Sequence, residues 1–229
     1  DYYPKHMEKL GGWEKDNDYV EYRLDVPETA PEKYTKIAEM VEKRYNLHAR
    51  KLTKKDIFEG GYGKKLFDLI NVTYSHLYGF SELSERQIDQ YVKMYFPLAD
   101  LDLITVVEDG NKDNQLVGLA ITIPSLTRAL QKCHRGRLFP FGWWHLLRAI
   151  KFHKTEVVDL LLIGVLPEYR SKGANSLVFA DLIPRYVKYG FKWGETHVEM
   201  ETNESVQSQW GPLDPTMHKK RRCYRKAIG

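Results

Sequence analysis

The chain has 229 residues, 42% hydrophobic and 13% aromatic, which is enough for one well-packed core but short for two full domains. Its formal net charge of +4 is too mild to require a nucleic-acid partner, although it suits a polyanionic ligand. The two cysteines are far apart and indicate neither a disulfide framework nor a metal site. No apolar run reaches the roughly 20 residues of a membrane span, and there is no signal sequence. We therefore expect a cytoplasmic protein.

The first 26 residues contain a short helix and an extended segment. Residues 3–10 have the pattern of a helix that stops at a glycine, and residues 13–22 have the character of a strand. A proline-containing linker follows, so we expect the main domain to span residues 27–229. Residues 1–26 are then either the tail of a preceding domain or an N-terminal extension packed on the same core.

The next part of the chain alternates helices and strands. Apolar residues at helical spacing, from Tyr34 to Tyr45, predict an amphipathic helix. Further patterns predict a strand over 47–52, helices over 65–77 and 84–96, and two strands over 103–107 and 116–123 joined by a hairpin turn. This order predicts a mixed α/β domain.

An insertion rich in aromatic and basic residues lies between Pro124 and Thr155. Its loop and the amphipathic helix that follows contain Phe139, Phe141, Trp143 and Trp144. These four side chains are candidates for lining a pocket for an apolar or bulky acceptor. The alternatives are contact with a membrane surface and a structural cover over one face of the sheet.

The stretch from 157 to 183 gives the strongest signal. Residues 157–165 form a nearly continuous apolar run, typical of a strand buried on both faces, and Pro167 ends it. A short loop with Arg170, Lys172 and Gly173 then leads into an amphipathic helix. The unpaired N–H groups and the positive dipole of a helix start, with two cations nearby, suit a phosphate or pyrophosphate.

The last part of the chain offers carboxylates and cations. Residues 191–200 are predicted to form one strand, on which Glu195, His197 and Glu199 share a face. A helix is predicted to begin at Asn203. The basic run over 219–226 predicts a solvated edge strand, with a phosphate-binding tail as the alternative.

The loop after the central strand resembles the acyl-CoA loop of the GNAT acetyltransferase superfamily, whose pattern is Arg or Gln, two residues, Gly, one residue, then Gly or Ala. Those three places hold Arg170, Gly173 and Asn175, and only Asn175 departs from the pattern. The approach to the loop also matches, at Val165, Pro167, Glu168 and Tyr169. The resemblance covers residues 47–229 and implies a GNAT-like α+β fold, a mixed central sheet flanked by helices, with the aromatic helical insertion added to it. Residues 1–26 resemble the end of a GNAT domain, which implies a tandem protein.

The resemblance implies an acyl-CoA-dependent N-acyltransferase that transfers acetyl from acetyl-CoA, its co-substrate, to an amine of a small molecule or peptide. It places the thioester carbonyl near a backbone N–H of the central strand, where Gly164 permits close approach. The implied CoA-binding residues are Ile163, Gly164, Val165, Arg170, Ser171, Lys172, Gly173, Ala174, Asn175 and Asn203.

Candidate bases for this reaction are Asp159 and Glu156 on the central strand and Glu195, Glu199 and Glu201 on the next, of which we select Asp159 and Glu199. In GNAT enzymes a tyrosine, which acts as the general acid for the thiolate, usually lies seven residues after the asparagine that starts the last helix. Counted from Asn203, this position is Trp210. Since an indole cannot protonate a thiolate at neutral pH, Tyr224 is the candidate acid, with unassisted departure as the alternative. The missing tyrosine keeps open a CoA-binding or interaction module without chemistry. A separate alternative is a Fem-like aminoacyl transferase on a doubled GNAT scaffold, although the mild net charge argues against a tRNA partner.

Overall fold

The computed structural model describes residues 2–227, so Asp1, Ile228 and Gly229, which the domain prediction includes, lie outside it. Ten α-helices in the described part flank one eight-stranded sheet. The strands are β1 (Glu14–Asp25), β2 (Leu47–Arg50), β3 (Ile104–Asp109), β4 (Gln115–Pro124), β5 (Val157–Val165), β6 (Trp193–Thr196), β7 (Glu199–Met200) and β8 (Thr216–Arg225). The helices are α1 (Tyr3–Leu10), α2 (Glu32–Tyr45), α3 (Lys54–Phe58), α4 (Tyr62–Tyr74), α5 (Glu85–Tyr95), α6 (Thr127–Gln131), α7 (Gly142–Phe152), α8 (Pro167–Arg170), α9 (Ala174–Tyr189) and α10 (Glu204–Gln207).

The strand order across the sheet is β2-β3-β4-β5-β6-β1, with β7 paired to the same edge of β1 as β6 and with β8 paired to its other edge. Neighbouring strands are antiparallel except for β5 and β6, which run parallel. The predicted α/β class with a mixed central sheet flanked by helices is therefore confirmed. None of the helices in residues 2–227 combines the length and apolar character needed to cross a bilayer.

Two hydrophobic layers cover the two faces of the sheet. Successive residues of a strand point to opposite faces, so Val106 packs into one layer and Val107 into the other. Helices α2 and α9 form the first layer, where Leu177 and Leu182 are buried, and α3, α4 and α5 form the second. The apolar spacing of each helix thus matches the face that it buries.

Strand β1 occupies an internal position in this sheet. It pairs with β6 and β7 on one side and with β8 on the other. Val20 and Leu24 anchor it in the core, and Asp18 accepts hydrogen bonds from the guanidinium of Arg222 on β8 at 2.7 and 2.9 Å. The assignment of residues 1–26 to a preceding domain stays a prediction.

The prediction of one continuous strand over 191–200 is wrong. The chain forms β6, leaves the sheet at His197 and Val198, and re-enters it as the two-residue strand β7. Pairing changes at this break, because β6 lies between β5 and β1 whereas β7 pairs with β1. Glu195 and Glu199 therefore lie in different surroundings. Helix α3 was not predicted.

Candidate active site

A cleft opens where β5 and β6 separate. The two strands pair from Val157 with Trp193 to Leu160 with Thr196, and the His197 N–H donates to the Leu160 carbonyl at 3.1 Å. Beyond Leu160 they diverge, and the register of β5 against β4 shifts so that Leu161 is an extra residue, a β-bulge. The resulting cleft has a volume of about 360 Å³.

Most of the cleft wall comes from the splayed strands and from helices on either side. Residues 160–165 of β5 form one wall, and Glu199 and Met200 of β7 lie across from them. Tyr74 at the end of α4 and residues 76–80 after it form another side. The remaining wall is formed by Arg170, Asn175, Phe179, Asn203 and Trp210, among others.

Glu199 is the carboxylate in this cleft. Its side chain is only 9% exposed, and its Oε1 accepts a 2.9 Å hydrogen bond from the indole Nε1 of Trp210. Its Oε2 is buried and has no hydrogen-bond partner within residues 2–227. Burial raises the pKa of Glu199 to about 7, against the opposing effect of hydrogen bonds from Thr196 and Trp210. A carboxylate that titrates near neutral pH and keeps one oxygen free is suited to act as a general base.

Trp210 is fully enclosed beside Glu199. Its ring makes a T-shaped contact with Phe179 of α9, with centroids 5.8 Å apart. That contact fixes the direction of the indole N–H, which points at the carboxylate. Trp210 therefore orients Glu199 and stabilises its charged form.

Tyr74 is a cleft residue that the sequence did not single out. Its hydroxyl donates to the Ile163 carbonyl at 3.0 Å and accepts from the Ile163 N–H at 3.2 Å. Both backbone groups lie on the edge of β5 that faces the cleft. Burial raises the pKa of Tyr74 to about 12, so the hydroxyl keeps its proton at neutral pH. No sequence motif marks Tyr74, because it contacts β5 only through the packing of α4 against the sheet.

The loop between α8 and α9 lies at one end of the cleft. Arg170 Nε donates to the Val165 carbonyl at 3.0 Å, so the guanidinium caps the last residue of β5. Lys172 Nζ instead lies over the ring of Tyr169, 4.2 Å from its centroid. Gly173 has φ +84°, and a Cβ there would be 3.0 Å from Ile37 Cγ2 on α2, so both backbone conformation and packing require glycine.

Of the predicted site residues, seven line the cleft: Ile163, Gly164, Val165, Arg170, Asn175, Glu199 and Asn203. Ser171, Lys172 and Gly173 form the adjoining α8–α9 loop and Ala174 begins α9, but none of the four is in the cleft wall. A Cβ on Gly164 would lie 2.7 Å from Thr73 Oγ1, so this glycine also permits the close approach of α4. Its role towards the thioester stays a prediction.

The structure does not bring Asp159, Tyr224 or the insertion aromatics to the cleft. Asp159 precedes the bulge, near the N-terminal end of β5, where burial raises its pKa to about 6. Tyr224 lies on β8, and β1 separates that strand from the cleft. The insertion joins the end of β4 to the start of β5, whereas the cleft lies towards the other end of β5. Its aromatic residues Phe139, Phe141, Trp143 and Trp144 are exposed to solvent.

The fold of this chain is similar to that of GCN5-related N-acetyltransferases. A solved N-acetyltransferase of this type from Sphaerobacter thermophilus superposes with a TM-score of 0.60 at 11% identity, over 97% of this chain and 55% of that one. The glucosamine N-acetyltransferase region of a fungal multi-domain GH3 β-N-acetylglucosaminidase gives a TM-score of 0.58 at 12% identity, over 96% of this chain and 22% of that one. The predicted GNAT-like fold is confirmed.

Two curated proteins are similar in sequence. Bacterial ceramide synthase from Caulobacter vibrioides is 23% identical over 175 residues, which is 71% of this chain and 42% of that protein. Protein YghO from Escherichia coli is 23% identical over 167 residues, with the same shares. The chain thus spans about two fifths of the length of the curated relatives that it matches. No family model matches the chain.

Proposed function

We propose that this chain is an N-acyltransferase that moves an acyl group from an acyl-CoA thioester, acetyl-CoA in the simplest case, to the nitrogen of an amine acceptor. The observation that carries the proposal is Glu199, a buried carboxylate with a pKa of about 7 and one free oxygen, in the cleft beside the bulge of β5. A carboxylate in this state accepts a proton at neutral pH, which is what acylation of an amine requires.

The CoA part of the donor fits the end of the cleft. The N-terminus of α9 begins there, with the positive end of its dipole and the first N–H groups of the helix directed outward. Arg170 and Asn175 line the cleft beside it. The pyrophosphate would be held by these amides and by the Arg170 guanidinium.

The reacting groups follow from the same geometry. In the proposed complex the thioester carbonyl oxygen replaces the Tyr74 hydroxyl as the acceptor of the Ile163 N–H, and the released hydroxyl donates to the same oxygen. This oxygen gains negative charge as the amine nitrogen attacks. A carbon–nitrogen bond forms, Glu199 Oε2 takes the proton from nitrogen, and the carbon–sulfur bond then breaks. The thiolate leaves with its electron pair and needs no acid, because a thiol pKa of about 8.5 makes it a good leaving group.

Two further observations support an amine acceptor and an apolar acyl chain. The name of the Caulobacter relative, bacterial ceramide synthase, describes a protein that makes an amide, since a ceramide is an N-acylated amino alcohol. The wall of the cleft includes Leu160, Leu161, Phe179 and Leu182, which offer an apolar surface to an acyl chain longer than acetyl.

The test is thiol release from acyl-CoA. The chain is incubated with acetyl-CoA and with longer acyl-CoA thioesters in the presence of a panel of primary amines, including long-chain amino alcohols and short peptides, and free CoA and amide product are both measured. Glu199→Gln should slow product formation, lowering kcat by about 10²-fold or more. The matched control Glu204→Gln, at an exposed carboxylate on α10, should leave it unchanged. Acyl-CoA binding without amide formation across the panel would favour a binding module instead.

A further inference from the structure

The insertion between β4 and β5 has a charge pattern unlike the rest of the chain. Residues 125–155 include seven lysines and arginines and no aspartate or glutamate, in a chain with 35 basic and 31 acidic residues. The seven cations are Arg128, Lys132, Arg135, Arg137, Arg148, Lys151 and Lys154. A segment of this kind attracts polyanionic surfaces and has no acidic group of its own to weaken the attraction.

The same segment exposes large aromatic side chains. Phe139 is 77% and Phe141 73% exposed, and Trp143, Trp144 and Phe152 on α7 are also exposed. These side chains lie neither in the hydrophobic layers nor in the wall of the cleft. Several exposed aromatics grouped within fourteen residues, from Phe139 to Phe152, are unusual on a surface that faces only water.

Local contacts tie the two ends of the aromatic loop together. Gly142 lies so close to the start of the loop that a Cβ on it would be 2.2 Å from the Arg137 carbonyl oxygen. The Trp143 N–H donates to the Leu138 carbonyl at 2.9 Å, and its indole Nε1 donates to the Pro140 carbonyl at 2.9 Å. Because these contacts restrain the loop, burial of its aromatics costs less conformational entropy than it would for an untied loop.

A basic hollow lies on the same α6–α7 unit. It has a volume of about 350 Å³ and is lined by Arg128, Lys132, His145, Arg148 and Lys154, among others. Glu156 at its edge is already paired, with Arg128 at 3.6 Å and with Lys192 at 2.9 Å. The hollow can therefore receive the phosphate of a lipid headgroup.

We propose that the α6–α7 unit, residues 125–155, docks the chain on the surface of an anionic lipid bilayer. The aromatics Phe139, Phe141, Trp143 and Trp144 enter the interface between headgroups and acyl chains, while the surrounding lysines and arginines meet lipid phosphates. Exposed apolar anchors together with an excess of positive charge are typical of a segment that lies in the interface of an anionic bilayer. The proposal goes beyond the proposed acyl transfer and does not depend on turnover.

Vesicle flotation tests the docking directly. The full chain is mixed with phosphatidylcholine vesicles in which roughly a third of the lipid is phosphatidylglycerol, and separately with pure phosphatidylcholine vesicles. We expect it to float with the anionic vesicles at about 0.1 M salt and to be released as the salt rises towards about 1 M. Quenching of tryptophan fluorescence by brominated acyl chains then reports whether the indoles enter the interface.

Paired variants locate the binding surface. Phe139→Ser with Phe141→Ser should weaken vesicle binding by at least about tenfold, and Lys132→Gln with Arg148→Gln should remove the preference for anionic lipid. The control Phe58→Ser with Leu98→Ser, at exposed apolar residues outside the insertion, should bind as the wild type does. The proposal is overturned if the wild type stays unbound at low salt, or if the phenylalanine pair and the control bind equally well. Equal binding of the wild type to neutral and anionic vesicles would overturn the headgroup role of the hollow.

Discussion

The indole N–H of Trp210 points at the Oε1 of Glu199 over 2.9 Å, deep in the splayed cleft. The position at which the GNAT resemblance expects an acid for the thiolate thus holds a donor to the carboxylate instead. This pairing leaves the other oxygen, Oε2, without a hydrogen-bond partner within residues 2–227. In the reaction that we propose, that oxygen takes the proton of the acceptor nitrogen.

Trp210→Phe tests this pairing. Phenylalanine keeps part of the contact with Phe179 but has no N–H, so the ionised form of Glu199 loses a stabilising hydrogen bond and its pKa should rise by about one unit. The acidic limb of the kcat/KM profile, on which activity rises as Glu199 loses its proton, should move to higher pH by the same amount. A titration of ¹³C-labelled glutamate by NMR, assigned with Glu199→Gln, measures this pKa without activity. Trp13→Phe, at an exposed indole outside the cleft, serves as the control, and an unmoved Glu199 titration in Trp210→Phe would contradict the pairing.

Glu199→Gln should also change how stability depends on pH. The pKa of Glu199 is raised from 4.5 to about 7 on folding, so between these values the unfolded chain has lost a proton that the native state retains, and native stability falls as pH rises. The variant removes this penalty. At pH 8 it should be more stable than the wild type by about 2 to 3 kcal/mol, and near pH 4.5 the difference should vanish.

Urea denaturation across this pH range measures the effect, and Glu204→Gln is the matched control with no pH-dependent gain expected. A Glu199→Gln chain that is destabilised equally at every pH would mean that the carboxylate is not buried as described.

Tyr74→Phe tests the second donor to the thioester. In the structure the hydroxyl occupies both backbone groups of Ile163. When a carbonyl oxygen takes the Ile163 N–H, the phenol is free to donate to the same oxygen, so its loss should lower kcat by about tenfold or more with little change in CoA affinity. Tyr78→Phe is the control, because its hydroxyl lies at the same cleft but bonds to Asp16. Equal kcat values for the two variants would show that the Ile163 amide alone suffices.

Local patterns predicted the part of the site that is local. The run over 157–165, the break at Pro167 and the helix start after Gly173 are set by apolar content, a missing N–H donor and a positive φ, and all three can be read from adjacent residues. Patterns of the same local kind also predicted the short helix that ends before Gly11.

The rest of the site depends on contacts between distant segments. Glu199 was predicted from the alternation of a single strand, yet it reaches the cleft because the chain breaks at His197 and Val198 and pairs anew with β1. No proline or glycine marks that break. Tyr74 meets Ile163 across the sheet, and Tyr224 is kept away by the insertion of β1 beside β8. Contacts of this kind between distant segments leave no signal within a short window of sequence.

Arg170→Ala and Lys172→Ala should separate two cations that the sequence treated as equivalent. Arg170 lines the cleft with its remaining guanidinium N–H groups available, whereas Lys172 lies over the ring of Tyr169 at 4.2 Å. Calorimetry with CoA should show a loss of about fivefold or more for Arg170→Ala and a smaller loss for Lys172→Ala. Thermal unfolding of both variants checks that the end of β5, which Arg170 holds through the Val165 carbonyl, stays intact. Equal losses would place the pyrophosphate between the two cations, and unchanged affinity in both would remove this loop from the CoA site.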